Sequence, residues 1–176
     1  MERSRRGGRA EAGNVIIEVR LHNHAPSNYI CPFCLLVQGI ENEHNEVKQT
    51  DIVYQNTQVT AFIAIRKWTN NIGHVLVIPN SHFENIYNLP TDVAIEIHKA
   101  AKAVALTMKE VYACDGILLR QHNEPAGEQN IWHYHLHVIP RYDNDNLHLS
   151  QKQPFPINER IEYALKLKAK IIENLK

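Results

Sequence analysis

The chain has 176 residues, and its 19 Lys plus Arg balance 19 Asp plus Glu, so the formal net charge at pH 7 is zero. That neutrality argues against nucleic acid or an anionic membrane surface as a partner, while 44% hydrophobic and 22% charged residues suit a globular domain with its own core. No apolar run reaches the roughly 18 residues of a membrane span, and the charged, Gly-rich start is not a secretory signal, so a cytoplasmic protein off the membrane is expected.

In chain order, residues 1–13 show no apolar period and read as a disordered tail or cloning remnant. Residues 14–150 read as one compact domain, and 151–176 as a helical extension. Val15–Leu21 alternates apolar with polar residues and predicts a strand. Cys31–Leu36 opens the domain, followed by a short strand near Ile52–Tyr54. Val59–Ile65 predicts a strand with Val59, Ala61, Ile63 and Ile65 on one face. His74–Ile78, stopped by Pro79, carries a continuous Val-Leu-Val-Ile run that predicts a strand buried on both faces. Thr91 is the candidate cap of a long helix to about Ala113, with Val93, Ile97, Ala101, Val104, Met108 and Val111 on one stripe. Ile117–Arg120 predicts another strand. The polar loop 122–130 leads into a strand over Ile131–Ile139. A last helix near 158–175 has Asn158 as candidate cap and Ile161, Leu165, Ile172 and Leu175 as its apolar side. Strands gathered around one long helix, with few βαβ alternations, predict an α+β fold with an antiparallel sheet.

Histidine is the compositional outlier, at eleven residues. In Ile131-Trp-His-Tyr-His-Leu-His-Val-Ile139 the alternation places His133, His135 and His137 on one strand face, with Trp132, Tyr134, Leu136 and Val138 on the other. Neighbouring histidines would then stand about 7 Å apart and the outer pair about 13 Å, which excludes a single zinc bound by all three. Near neutrality such a row can supply a nucleophile, a proton donor and a phosphate-binding donor.

His133-Tyr-His135-Leu-His137-Val-Ile139 resembles the His-φ-His-φ-His-φ-φ motif of the histidine triad (HIT) proteins. Ala61–Ile65, the run Gly73-His74-Val-Leu-Val-Ile-Pro79 with His82, then Asn123, Ala126-Gly127, Gln129 and Pro140-Arg141 extend the resemblance over about residues 29–142. It implies a HIT-like fold of about five antiparallel strands, one long helix and an additional C-terminal helix, assembled as a homodimer. It implies a nucleotide hydrolase or nucleotidyl transferase acting at the α-phosphate of a dinucleoside polyphosphate or nucleoside phosphoramidate. In that mechanism His135 attacks phosphorus to form a nucleotidyl-histidine, and His137 donates to a phosphate oxygen. Asn123, Gln129 and Asn130 hold phosphate oxygens or the leaving group, with His74 beside them, and Phe33, Phe62, Ile63 and Ile65 contact the base. The sequence departs from the family at Ala64, where an acidic residue often binds the ribose, and at Glu128 in the phosphate loop.

Cys31-x-x-Cys34 has zinc-ligand spacing, but the pair by itself is equally consistent with redox chemistry or simple burial. In histidine triad proteins with this pair, the resemblance implies zinc held also by His82 and His133. Four protein ligands would leave no open position for a zinc-activated water. A rival reading, motivated by Ala64 and Glu128, is a zinc-stabilised nucleotide-binding or interaction module with little turnover. Cys114 reads as a buried thiol at the end of the long helix, and His22, His24, His44, His98, His122 and His148 as surface residues.

Overall fold

A computed structural model describes residues 22–43 and 45–175; the strand expected over Val15–Leu21 lies outside them. The chain forms α1 (Pro32–Val37), β1 (Ile52–Gln55), β2 (Val59–Ile63), β3 (Arg66–Trp68) and β4 (Val75–Pro79). It continues through α2 (Thr91–Tyr112), β5 (Gly116–Gln121), β6 (Leu136–Arg141), β7 (Lys152–Pro154) and α3 (Ile157–Ile171), with a 3-10 turn over Ile172–Leu175. Five strands form an antiparallel sheet in the order β1-β2-β4-β6-β5, and β3 pairs with β7 in a separate two-stranded sheet. This is the expected α+β architecture, with its long helix and C-terminal helix.

β4 is buried along its whole length, as its unbroken apolar run requires. Its alternate residues serve different layers. Val75 and Val77 join the core under α2 and α3, while Leu76 and Ile78 pack with Phe33 and Leu36 of α1. The α2 stripe is as read, with Ile97, Ala101, Val104 and Met108 fully enclosed.

Several boundaries differ from expectation for identifiable reasons. β2 ends at Ile63, because after Ala64 donates to the His74 carbonyl at 2.9 Å the chain leaves the large sheet to form β3. Ile65 therefore does not share a face with Ile63. β6 starts at Leu136 rather than Ile131. Its first residue pairs with Val77 and Gln121, and upstream of it the Tyr134 amide bonds the Phe83 carbonyl at 2.6 Å instead. Pro140 does not stop β6. It pairs with Ile117 but lies beyond the last β4 partner, Val138, so the missing N–H faces no strand there.

Prolines, not Thr91 and Asn158, hold the cap positions of α2 and α3; their fixed φ suits a helix entry. The buried side of α3 is Arg160, Ala164, Leu167 and Ile171, one residue earlier than the stripe read from the apolar pattern. Leu165 and Ile172 are exposed. A charged residue disguised the phase. The Arg160 guanidinium bonds Asp51 at 2.9 Å, the Phe155 carbonyl at 2.9 Å and the Glu46 carbonyl at 3.1 Å. α3 thereby belongs to the same core as the sheet and α2.

Candidate active site and metal centre

Cys31 caps α1, and the turn of helix that Pro32 initiates brings Cys34 back beside it, the Cys34 amide meeting Cys31 Sγ at 3.4 Å. The loop after β4 adds His82, and the segment before β6 adds His133. Cys31 Sγ lies 3.2 Å from His133 Nδ1, Cys34 Sγ 3.6 Å from the same atom and 3.3 Å from His82 Nδ1. One ligating atom from each of the four residues falls within 4.8 Å of all the others. His133 is fully buried, and its Nε2 donates to the Pro79 carbonyl at 3.0 Å. A carbonyl can only accept, so Nδ1 presents its lone pair to the sulfurs, the arrangement by which metal-binding imidazoles are oriented. Hydrogen bonding from Cys34 and the adjoining imidazoles pushes the Cys31 thiol down to about 2, which makes it a ready thiolate ligand. The four residues read together from the resemblance are thus brought together.

His135 turns the other way. Its Nδ1 donates to the His133 carbonyl at 2.7 Å, which leaves Nε2 as a bare lone pair. Burial pushes its pKa down to about 4, so the ring is neutral at pH 7. Its centroid is 4.9 Å from that of His137, closer than the pleat spacing, since His135 precedes the strand and its ring leans on its neighbour. His137 Nδ1 lies 2.8 Å from His74 Nε2 in a stacked pair. Burial pushes the His74 pKa down to about 3 and that of His137 lower still. His133 faces the thiols, and His135 and His137 face a cavity of about 300 Å³.

Phe33, Phe62, Ile65, His74 and Asn130 line that cavity with the two histidines. The Phe33 ring stands edge-on to Phe62 at 5.3 Å and to His135 at 5.5 Å, forming an apolar wall beside that histidine. Ile63 is not in the wall. It is fully buried under the helices on the opposite sheet face, as the alternation that puts Phe62 in the cavity demands. Asn123 and Gln129 brace the loop rather than line the cavity. Asn123 Oδ1 accepts from the Ile86 amide at 2.9 Å, and Gln129 ties Glu84 to Glu124 through both ends of its side-chain amide. Glu128 is paired with Arg120 at 2.5 Å, which offsets the extra carboxylate in the 122–130 loop.

Five polar residues of the site escaped the sequence reading. His122 is not a surface residue: it is half-buried, stands edge-on to His137 at 5.5 Å and donates to the Gly127 carbonyl at 2.6 Å. Its position directly before Asn123 was the available signal. Asn45, Glu46, Arg66 and Lys152 also line the cavity, but they come from three separate segments that no local pattern connects. Asn45 is 2% exposed, and its Nδ2 has no hydrogen-bond partner among the described residues. Cys114 is buried at the end of α2, as expected.

Comparison with known proteins agrees with this geometry. The HIT domain profile matches residues 45–144. An uncharacterized HIT-like protein of Saccharolobus solfataricus is 30% identical over 84% of this chain and 99% of its own length. The crystal structure of a Zn-bound histidine triad family protein from Mycobacterium smegmatis superposes with a TM-score of 0.67 at 26% identity, over 81% of this chain and 94% of that one. A hypothetical histidine triad nucleotide-binding protein from Sulfolobus tokodaii gives 0.65 at 25% identity, over 81% and 93%. With the profile, the full-length relative and the His133-His135-His137 row in agreement, the chain belongs to the HIT domain family.

Proposed function

We propose that this protein is a nucleotide hydrolase or nucleotidyl transferase that works through a covalent intermediate on His135. The observation that carries the reading is the His135 ring: Nδ1 is committed to the His133 carbonyl, and the neutral Nε2 stands in the cavity wall. Nε2 attacks the α-phosphorus of a dinucleoside polyphosphate or nucleoside phosphoramidate. As the N–P bond forms, the bond from phosphorus to the leaving group breaks, and the electron pair departs with that group. Water then cleaves the N–P bond, releases the nucleoside monophosphate and restores the histidine. His137, backed by His74, donates to a phosphate oxygen, while Phe33, Phe62 and Ile65 receive the base. Bonds from Asn123 and Gln129 support positioning roles, through the loop they brace.

Zinc suits the Cys31, Cys34, His82 and His133 set. A tetrahedral ion with bonds of about 2.0–2.3 Å separates its ligands by roughly 3.3–3.8 Å, and the thiol–imidazole distances of 3.2–3.6 Å match that span. When bound it supplies a structural cross-link. The four residues themselves tie α1, the loop after β4 and the approach to β6 together, which fixes the carbonyl that orients His135. A homodimer over α2 and β5, carried from the resemblance, is supported by exposed Ile95, Leu106 and Leu119 on those elements. A cytoplasmic location is supported by three free cysteines, and no helix among the described residues is long and apolar enough to cross a membrane.

The testing experiment is release of nucleoside monophosphate from diadenosine tetraphosphate and an adenosine phosphoramidate. Turnover of either, lost in His135→Ala, is expected. Nucleotide binding without turnover of any substrate would favour the rival binding module, to which Ala64 points.

A further inference from the structure

The cavity carries two cations that no carboxylate among the described residues pairs with. Arg66 on β3 and Lys152 on β7 line it together with His74, His135 and His137. They stand on the two strands of the small sheet, where Lys152 pairs in register with Trp68. The Lys152 ammonium lies 4.6 Å from the Trp68 ring centroid, and that ring lies 5.2 Å from His74. This chain of contacts fixes Lys152 at the histidine end of the cavity, where its charge bears on all three rings. Among the described residues no carboxylate lies within ion-pair distance of Arg66 or Lys152. Glu128, the acid that acts on Lys152 from nearby, is already bound to Arg120. Glu46 also lines the cavity, next in the chain to Val47, which packs with Phe33 and Phe62. Two cations without a carboxylate in ion-pair reach, beside the His74, His135 and His137 rings, form a site that a polyanion completes.

We propose that Lys152 and Arg66 hold the phosphate chain of the leaving group, so that the enzyme selects nucleotides with a polyphosphate on the α-phosphorus over those with an amine. This rests on the nucleotidyl-histidine reading and specifies its substrate class. When the bond between the α-phosphorus and the bridging oxygen breaks, the electron pair leaves on that oxygen, and the new charge spreads over the departing phosphate chain. Fixed cations meet that charge as it develops. A departing amine needs a proton instead and presents no charge for Lys152 or Arg66 to meet. β7 lies in the segment after the HIT domain match ends at residue 144, so Lys152 comes from the C-terminal extension and Arg66 from the domain itself.

The test is binding of magnesium-free ATP and of AMP, measured by calorimetry on the full chain in a His135→Ala background that prevents turnover. Lys152→Met is expected to weaken ATP at least tenfold, the loss typical of a charged hydrogen bond, and AMP less than threefold. Lys152→Arg restores the contrast. Equal weakening of both nucleotides, or of neither, overturns the proposal. With the catalytic histidine intact, Lys152→Met should lower kcat/KM for diadenosine tetraphosphate at least tenfold while leaving the phosphoramidate within threefold, and a parallel fall would overturn it too. A wild type that hydrolyses neither substrate refutes the catalytic reading alone, and the ATP-to-AMP contrast still decides the phosphate-chain site.

Discussion

Gly73→Ala tests how tightly the fold holds the histidine end of the cavity. Gly73 precedes His74 with φ +89°, and a Cβ built there would sit 2.7–2.8 Å from Cε2, Cζ and the hydroxyl of Tyr112. Two costs combine. Placing an L side chain at positive φ costs about 1–2 kcal/mol. Forcing a methyl against the Tyr112 ring adds about 1–3 kcal/mol, because that ring is packed edge-on against Tyr163 at 5.5 Å and cannot simply swing away. The expected loss is about 2–5 kcal/mol, or roughly 5–15 °C in Tm for a domain of this size. Urea denaturation of Gly73→Ala, Tyr112→Leu and the double variant separates the two costs. With the ring truncated, Gly73→Ala should cost only the backbone part, giving a coupling of about 1–3 kcal/mol. A loss below 0.5 kcal/mol for Gly73→Ala, or no coupling to Tyr112, would refute the reasoning.

Arg160→Met leaves Asp51 buried at 0% exposure without its guanidinium and should cost about 3–5 kcal/mol; chemical denaturation showing less than 1 kcal/mol would contradict the anchoring of α3. Burial holds the His74 pKa at about 3 against 6.5 in the unfolded chain, so between those values the unfolded chain takes up a proton that the folded chain refuses. Stability therefore falls as pH drops from 6.5 toward 3. His74→Gln should remove up to one proton, about 1.4 kcal/mol per pH unit, from the slope of unfolding free energy between pH 6 and 4, and an unchanged slope contradicts the assignment. Protein purified under reducing conditions without chelators should carry about one zinc per chain by elemental analysis, falling sharply in Cys31→Ser. Metal content near zero in the wild type would remove the zinc reading.

The sequence made local periodicity legible. β4 and the α2 stripe follow from side-chain alternation and helical spacing, which neighbouring residues alone determine. The division of the histidine row comes from the family resemblance, since alternation alone puts all three rings on one face. What it concealed depends on partners far away in the chain. The buried phase of α3 was hidden because Arg160 is polar until Asp51, 109 positions distant, satisfies it. β7 has no apolar pattern, since all three of its residues are exposed, and only pairing with Arg66–Trp68 makes it a strand. Lys152 therefore reached the cavity unannounced. His122 was missed for a related reason: a histidine in a polar loop shows nothing in sequence of the ring it meets in space. Ile63 is the opposite case: the resemblance implies a base contact there, but its parity with Phe62 turns it into the core under the helices.

The most direct test is intact mass spectrometry of the protein mixed with diadenosine tetraphosphate or adenosine phosphoramidate and quenched without acid, which would cleave an N–P bond. A mass increase of one adenylyl group, present in the wild type, absent in His135→Ala and retained in His74→Gln, is predicted. Turnover with no adduct in rapid-quench samples, or an adduct that persists in His135→Ala, would contradict the assignment of His135 as the nucleophile.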